Sequence, residues 1–279
     1  MIASASGLGI VDAVLLGLIE GATEFLPVSS TGHLLVAQRM LGLGGTASQD
    51  RALDAYAICI QGGAILAVVA LYRRRIGDIA NGALGRSTEG RRLLSSLVVA
   101  FAPAALLGLL LADAIKSALF GVGPVAAAWL VGGVVILVAQ RRGWTVGGSI
   151  ELDSIRPGHA LVIGAAQALA LWPGVSRSLV TIMAALLVGC TVRAAVEFSF
   201  LLGLVTLSAA SAYEVVRSGG EIVRIFGLIT PTVGLLVATV AAVVSIRWLV
   251  RWVEVHGLAT FGYYRVVIGI AGLVIVGGT

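Results

Sequence analysis

Six times along this chain a run of about 20 mostly apolar residues recurs, at 53–72, 93–113, 122–140, 194–216, 225–246 and 258–276. An α-helix of that length matches the roughly 30 Å hydrocarbon core of a bilayer. A helix is also the form in which an apolar segment satisfies its own backbone N–H and C=O groups in lipid. The pattern therefore predicts an all-α integral membrane protein. Charge agrees: 12% of the 279 residues are charged and 58% are hydrophobic, with a mean hydropathy of +1.03. A soluble domain carries about 25% charged residues, so this chain has too little polar surface to cover a globule in water.

Two further apolar stretches are broken. Residues 7–40 are interrupted near Phe25-Leu26-Pro27, and residues 158–188 near Trp172-Pro173-Gly174. Each half is too short to span, so each stretch reads as a re-entrant helical hairpin. Non-helical backbone at membrane depth is tolerated only where protein buries it or a wet cavity meets it. The order hairpin, three spanning helices, hairpin, three spanning helices points to an inverted-topology repeat with a site at the repeat interface. The chain is read as a single membrane domain, 1–279. Segments 1–113 and about 122–246 contain the two repeats, and 258–276 forms the final spanning helix.

Arginine sets the expected orientation. Arg73, Arg74, Arg75, Arg86, Arg91 and Arg92 follow the first spanning run, Arg141, Arg142 and Arg156 the third, and Arg247 and Arg251 a later one. These loops fall on one side, expected to be cytoplasmic. The opposite loops carry only Lys116, and Arg217 with Arg224. The first hairpin then enters from outside and the second from the cytoplasm, so that their turns meet within the membrane. The net charge of +5 is spread between apolar runs and makes no nucleic-acid patch. Cys59 and Cys190 sit in apolar runs as packing residues. The N-terminus does not read as a cleaved signal peptide, because no basic residue precedes the first apolar run and Asp12, Glu20 and Glu24 interrupt it.

Chemistry concentrates at the two turns. Glu20 and Glu24 are one helical turn apart and share a face. Carboxylates within a membrane segment are functional candidates, as a general base or as ligands to a hard divalent cation, unless an Arg or backbone groups simply satisfy them. Ser29, Ser30 and Thr31 set three hydroxyls beside Gly32 and His33. Helix capping accounts for at least one hydroxyl, but not for an imidazole that can move a proton or attack phosphorus. Arg177 stands between Ser176 and Ser178, where a planar guanidinium and a helix N-terminus suit a phosphate. Its alternative is an ion pair with Glu20, Glu24 or Glu197. Glu197 could equally hold Arg193, and Gln61 either lines the same cavity or bonds a neighbouring helix. Trp248, Trp252, Tyr263 and Tyr264 read as an interfacial belt. Together these groups are parts for phosphoryl transfer.

The run Glu20-Gly21-Ala22-Thr23-Glu24-Phe25-Leu26-Pro27-Val28-Ser29-Ser30-Thr31-Gly32-His33 resembles the signature of the undecaprenyl-diphosphate phosphatase family, known also through bacitracin resistance. Pro173-Gly174-Val175-Ser176-Arg177-Ser178 resembles its second motif, and Glu197-Phe198-Ser199-Phe200-Leu201-Leu202 and Tyr264-Arg265 also match. The resemblance covers essentially the whole chain in order. It implies removal of the terminal phosphate of undecaprenyl diphosphate, which recycles the lipid carrier of cell-wall synthesis, and dependence on Mg²⁺ or Ca²⁺. It places the site at the outer face of the plasma membrane and carries catalytic roles to Glu20, Glu24, Ser30, His33 and Arg177. Ser29, Thr31, Ser176, Ser178 and Gln61 are expected to bind substrate, and Glu20 and Glu24 to hold the metal.

Ser30 is the preferred nucleophile over His33, with His33 or Glu24 as its base. Three departures stand against the family pattern. Leu179 replaces the glycine after the second serine and is expected to crowd the phosphate. Val205 replaces a proline, and the third-helix motif reads Gln61-Gly62-Gly63-Ala64. A polyprenyl-phosphate transporter or flippase, or a low-activity paralogue, is the alternative. Small residues on the helix faces allow a homodimer.

Overall fold

The computed structural model describes residues 8–277, with side chains at all of these positions except 47–48, 112–113, 116, 214–226 and 277. The side chains of Lys116, Arg217 and Arg224 thus lie outside the described residues. The chain folds into α1 (Ile10–Thr23), α2 (Ser30–Met40), α3 (Ala47–Leu71), α4 (Arg73–Ala83), α5 (Thr88–Leu119), α6 (Val122–Arg141), α7 (Pro157–Gln167), α8 (Arg177–Leu187), α9 (Val192–Phe226), α10 (Ile229–His256) and α11 (Ala259–Gly277). Six of these, α3, α5, α6, α9, α10 and α11, are long and apolar enough to cross a membrane. They coincide with the six apolar runs of the sequence.

Local chemistry sets their ends. Thr46 caps α3 by accepting from the Gln49 amide, and Ser87 caps α5 from the Gly90 amide. Pro157 opens α7, where its missing N–H costs nothing. Gly227, at φ +64°, closes α9 at Phe226. Residues 225–226, expected to open the fifth span, therefore end the fourth. Two features exceed the expectation. The arginine-rich segment after Tyr72 is the helix α4, tied by Arg75 to Asp153 at 3.0 Å. Arg247 and Arg251 stand on α10, which continues past its apolar stretch to His256, and not in a loop.

The interrupted stretches each form two short helices around an irregular turn. At 14 and 11 residues, α1 and α2 are about 21 and 16 Å long, well short of a bilayer core. On the other side, α7 continues through a 3₁₀ turn at Ala168–Leu171 before the break. The main packing pairs are α6 on α11, α1 on α10, α3 on α10, α7 on α5 and α3 on α9. Small residues make the hairpin crossings close. A Cβ on Gly17 or Gly21 would run into the α10 backbone at Gly234 and Ala238, and one on Gly164 into Ala100 of α5. The helix α8 is enclosed, with Ser178, Leu179 and Thr181 to Leu186 all buried. By contrast, α2 buries only Ser30, Gly32 and Leu34.

Candidate active site

Between the hairpins, irregular backbone must find hydrogen-bond partners without help from a helix. Four consecutive carbonyls of the first turn do so through side chains. Leu26 O accepts from Ser178 Oγ at 2.8 Å, with Ser176 Oγ at 3.5 Å and the two serines 3.0 Å apart. Pro27 O accepts from Arg265 at 3.2 Å, Val28 O from the Trp129 indole at 2.9 Å, and Ser29 O from His33 Nδ1 at 2.7 Å. The same Arg265 donates to Gly174 O in the second turn and to Ala128 O, both at 2.9 Å. This fully buried guanidinium therefore clamps the two turns together. Each turn ends in a serine of positive φ just before the following helix, Ser29 at 72° and Ser176 at 75°, and of the two only Ser176 accepts from a helix amide, that of Leu179. That region is strained for a side-chain-bearing residue, at a cost of about 1–3 kcal/mol. Such strain persists only where surrounding contacts over-determine it.

The clamp brings the charged residues of the two hairpins into contact. Arg177 Nη2 reaches Glu24 Oε1 at 2.8 Å, with side-chain exposures of 10% and 7%. Of the three carboxylates open as partners, Glu24 is the one engaged, while Glu197 pairs with Arg193 at 3.1 Å. Arg177 Nη1 donates to Ser199 O at 3.0 Å, and its guanidinium lies 5.6 Å from the centre of the Phe25 ring. A Cβ on Gly203 would collide with that guanidinium, so α9 leaves the space Arg177 fills. The other oxygen of Glu24, Oε2, accepts a hydrogen bond from the Ser30 hydroxyl. Nucleophile candidate, base candidate and anion clamp thus form one chain across the hairpin interface.

These groups line a cavity of about 180 Å³ together with Ser29, Thr31, Gln61, Ser176, Gln167, Trp172 and Thr206. Three expected site residues stand elsewhere. Ser178 is wholly buried and spends its hydroxyl on Leu26 O. Glu20 opens on an adjoining cavity of about 350 Å³ with Gln38 and Asp54; the two cavities share Ser30, Thr31 and Gln61. His33 packs against Trp129 and Tyr264, with ring centres 5.0 and 5.8 Å away. Its Nδ1 faces a carbonyl, which accepts only, so that nitrogen carries the proton; Nε2 then accepts from Tyr264 Oη at 2.7 Å. Tyr264 is thus a partner of His33 as well as a residue near a helix end. Gln61 does both things foreseen for it, lining the cavity and accepting from Ser211 at 3.3 Å.

Sequence reasoning did not assign Arg265, Trp129, Gln167, Thr206 or Gly203. An arginine inside the last apolar run was itself a signal, because intramembrane charge is rare without a role. The others act through contacts between distant segments and carry no local signature.

The sequence pattern of the bacitracin resistance protein BacA matches residues 13–271. The chain belongs to the BacA family. Among relatives, it is 43% identical over 261 residues to the undecaprenyl-diphosphatase of Sorangium cellulosum, covering 92% of this chain and 83% of that protein. It is 42% identical over 264 residues to undecaprenyl-diphosphatase 2 of Rhodospirillum rubrum, covering 95% and 94%. The undecaprenyl-diphosphatase of Neisseria meningitidis serogroup C is 39% identical over 267 residues, covering 95% of each. Two of the three departures, Leu179 and Val205, fall outside the cavity wall, while the third-helix motif places Gln61 on it. Leu179 is 3% exposed within the hydrophobic core and is not among the cavity-lining residues, so its side chain is turned from the cavity. Val205 is half-buried on α9, also off the wall.

Proposed function

We propose that this BacA-family protein is a membrane phosphatase that hydrolyses undecaprenyl diphosphate to undecaprenyl phosphate and inorganic phosphate. The observation that carries the mechanism is the chain from the Ser30 hydroxyl through Glu24 to Arg177. The terminal phosphate enters the cavity toward Arg177 and the first-turn N–H groups of α2 and α8, which favour an anion. Ser30 Oγ attacks the terminal phosphorus and its proton passes to Glu24 Oε2. The bond from phosphorus to the bridging oxygen breaks, and undecaprenyl phosphate leaves. Water then attacks the phosphoserine, both its protons leaving on the phosphate, while the proton held by Glu24 returns to the Ser30 oxygen as its bond to phosphorus breaks, and dihydrogen phosphate is released. Arg177 neutralises charge on the phosphoryl oxygens throughout. His33, with both ring nitrogens engaged and its ring away from the cavity, holds the turn. This geometry favours Ser30 as nucleophile and Glu24 as base.

Dependence on a divalent cation is part of the same proposal. Among the described residues there is no group of three or more His, Cys, Asp or Glu arranged to hold an ion, and both oxygens of Glu24 are engaged. No hydrogen bond or ion pair among the described residues holds the Glu20 carboxylate, which lines the adjoining cavity. Glu20 fits a hard cation that takes its remaining ligands from phosphate oxygens and water, as Mg²⁺ commonly does. When bound there, the ion supplies neutralisation of phosphate charge.

The arginine bias supports a plasma-membrane location with the site opening outward. The paired hairpins support re-entrant segments in an inverted repeat. Their second helices are both 11 residues long, both follow a positive-φ serine, and α1 on α10 answers α7 on α5.

The deciding experiment is phosphate release from undecaprenyl diphosphate by purified protein. Ser30→Ala and Glu24→Gln should each lower turnover by about 10³-fold or more, and the double variant hardly further, since the two act as a unit. Turnover in Ser30→Ala within tenfold of the parent excludes the phosphoserine route. Movement of intact lipid diphosphate across vesicles without phosphate release establishes a transporter instead.

A further inference from the structure

One polar group on the cavity wall has no part in the steps above. Gln167 ends α7, is 2% exposed, and lines the cavity alongside Glu24, Ser30 and Arg177. Its Oε1 accepts from the Thr206 hydroxyl of α9 at 3.2 Å, a hydroxyl shared with Leu202 O at 2.9 Å. Its Nε2 has no hydrogen-bond partner among the described residues. Buried amide donors are nearly always satisfied, because removing an N–H from water without a new acceptor is costly. The single Thr206 hydroxyl proton serves Leu202 O and Gln167 Oε1 in a bifurcated bond, and while it holds Oε1 the end of the amide left over is an N–H donor, which recognises an acceptor such as an anionic oxygen.

Register adds a second reason. Gln167 precedes Ser176 by the same number of residues as Glu20 precedes Ser29. At one station, then, the first hairpin carries a carboxylate and the second a neutral amide of almost the same shape. A carboxylate there would repel phosphate oxygens, whereas an amide donates to them.

We propose that Gln167 is a substrate-binding residue that donates from Nε2 to an oxygen of the lipid diphosphate's terminal phosphate. Thr206 is its positioning residue, fixing which end of the amide meets the cavity. The inference rests on the phosphatase reading. The hydrogen bond forms as soon as the phosphate is seated, so its loss weakens binding more than turnover.

The test compares the parent protein with Gln167→Met, Gln167→Glu and Thr206→Val in detergent. It reads KM and kcat for phosphate release from undecaprenyl diphosphate, and thermal unfolding with and without inorganic phosphate. Loss of one hydrogen bond to a charged oxygen is expected to raise KM about tenfold in Gln167→Met, with kcat within about threefold. Its unfolding midpoint without phosphate should stay near the parent's, while the upward shift on adding phosphate disappears. Gln167→Glu raises KM further through like charge, and Thr206→Val raises it by a smaller factor. Parental KM and phosphate shift in Gln167→Met overturn the proposal. So does an unchanged KM with lower kcat and a lower midpoint, which marks a structural role. Should the parent release no phosphate, the phosphatase reading falls instead, and the inorganic-phosphate shift still decides whether Gln167 holds an anion.

Discussion

His33 shows how a single residue changes meaning once its neighbours are known. In the sequence it follows three hydroxyls and competes with Ser30 as nucleophile. In the structure its two nitrogens bridge Ser29 O and Tyr264 Oη, at 2.7 Å each. His33→Gln, which keeps a donor and an acceptor at the end of a side chain, should therefore retain phosphate release within about tenfold of the parent. A single-turnover measurement checks this, and a loss approaching that of Ser30→Ala would return the nucleophile to the imidazole. Glu20 and Glu24 divide in a similar way. Among the described residues Glu24 has both oxygens bound and Glu20 has none. Glu20→Gln should raise the Mg²⁺ concentration for half-maximal release by about tenfold, read from a metal titration, while Glu24→Gln removes turnover at every concentration. Equal cation requirements in Glu20→Gln and the parent would take Glu20 out of the metal site.

At the scale of elements, apolar length made the six spanning helices legible, and Pro with Gly made both breaks legible. Less legible was what each position in the breaks faces. Leu179 shows the difficulty, because its place two residues after Arg177 suggests contact with phosphate, yet two residues along a helix is a rotation of about 200°. That rotation turns its side chain into the core between α8 and α9. Restoring glycine should therefore not raise activity. It should remove a buried leucine from a helix, lowering stability by about 3–6 kcal/mol from the lost packing and the glycine backbone together. A thermal melt of Leu179→Gly with a parallel activity assay checks both parts, and higher turnover would revive the low-activity reading. The helix α4 escaped sequence reading because three consecutive arginines open it and only 11 residues follow the span's end before the next turn, so it reads as a charged loop.

For the whole molecule, the proposed inversion fixes which surfaces see which solution. Single cysteines replacing Arg74 and Arg142 should react with a membrane-impermeant thiol reagent only after cells are opened, in a Cys59→Ser, Cys190→Ala background. Labelling of either from outside intact cells would reverse the orientation. The clamp formed by Arg265 has a consequence in time. The turn carrying Ser30 leaves the ribosome near the start of synthesis, but its carbonyls wait for Trp129, for Ser178, and finally for Arg265, close to the end of the chain. A nascent protein halted anywhere before its last helix would hold the nucleophile on an unfinished loop. The membrane would thus receive a chemically silent precursor that becomes a catalyst only on completion, so a truncated product would have no competent centre to turn on passing lipids.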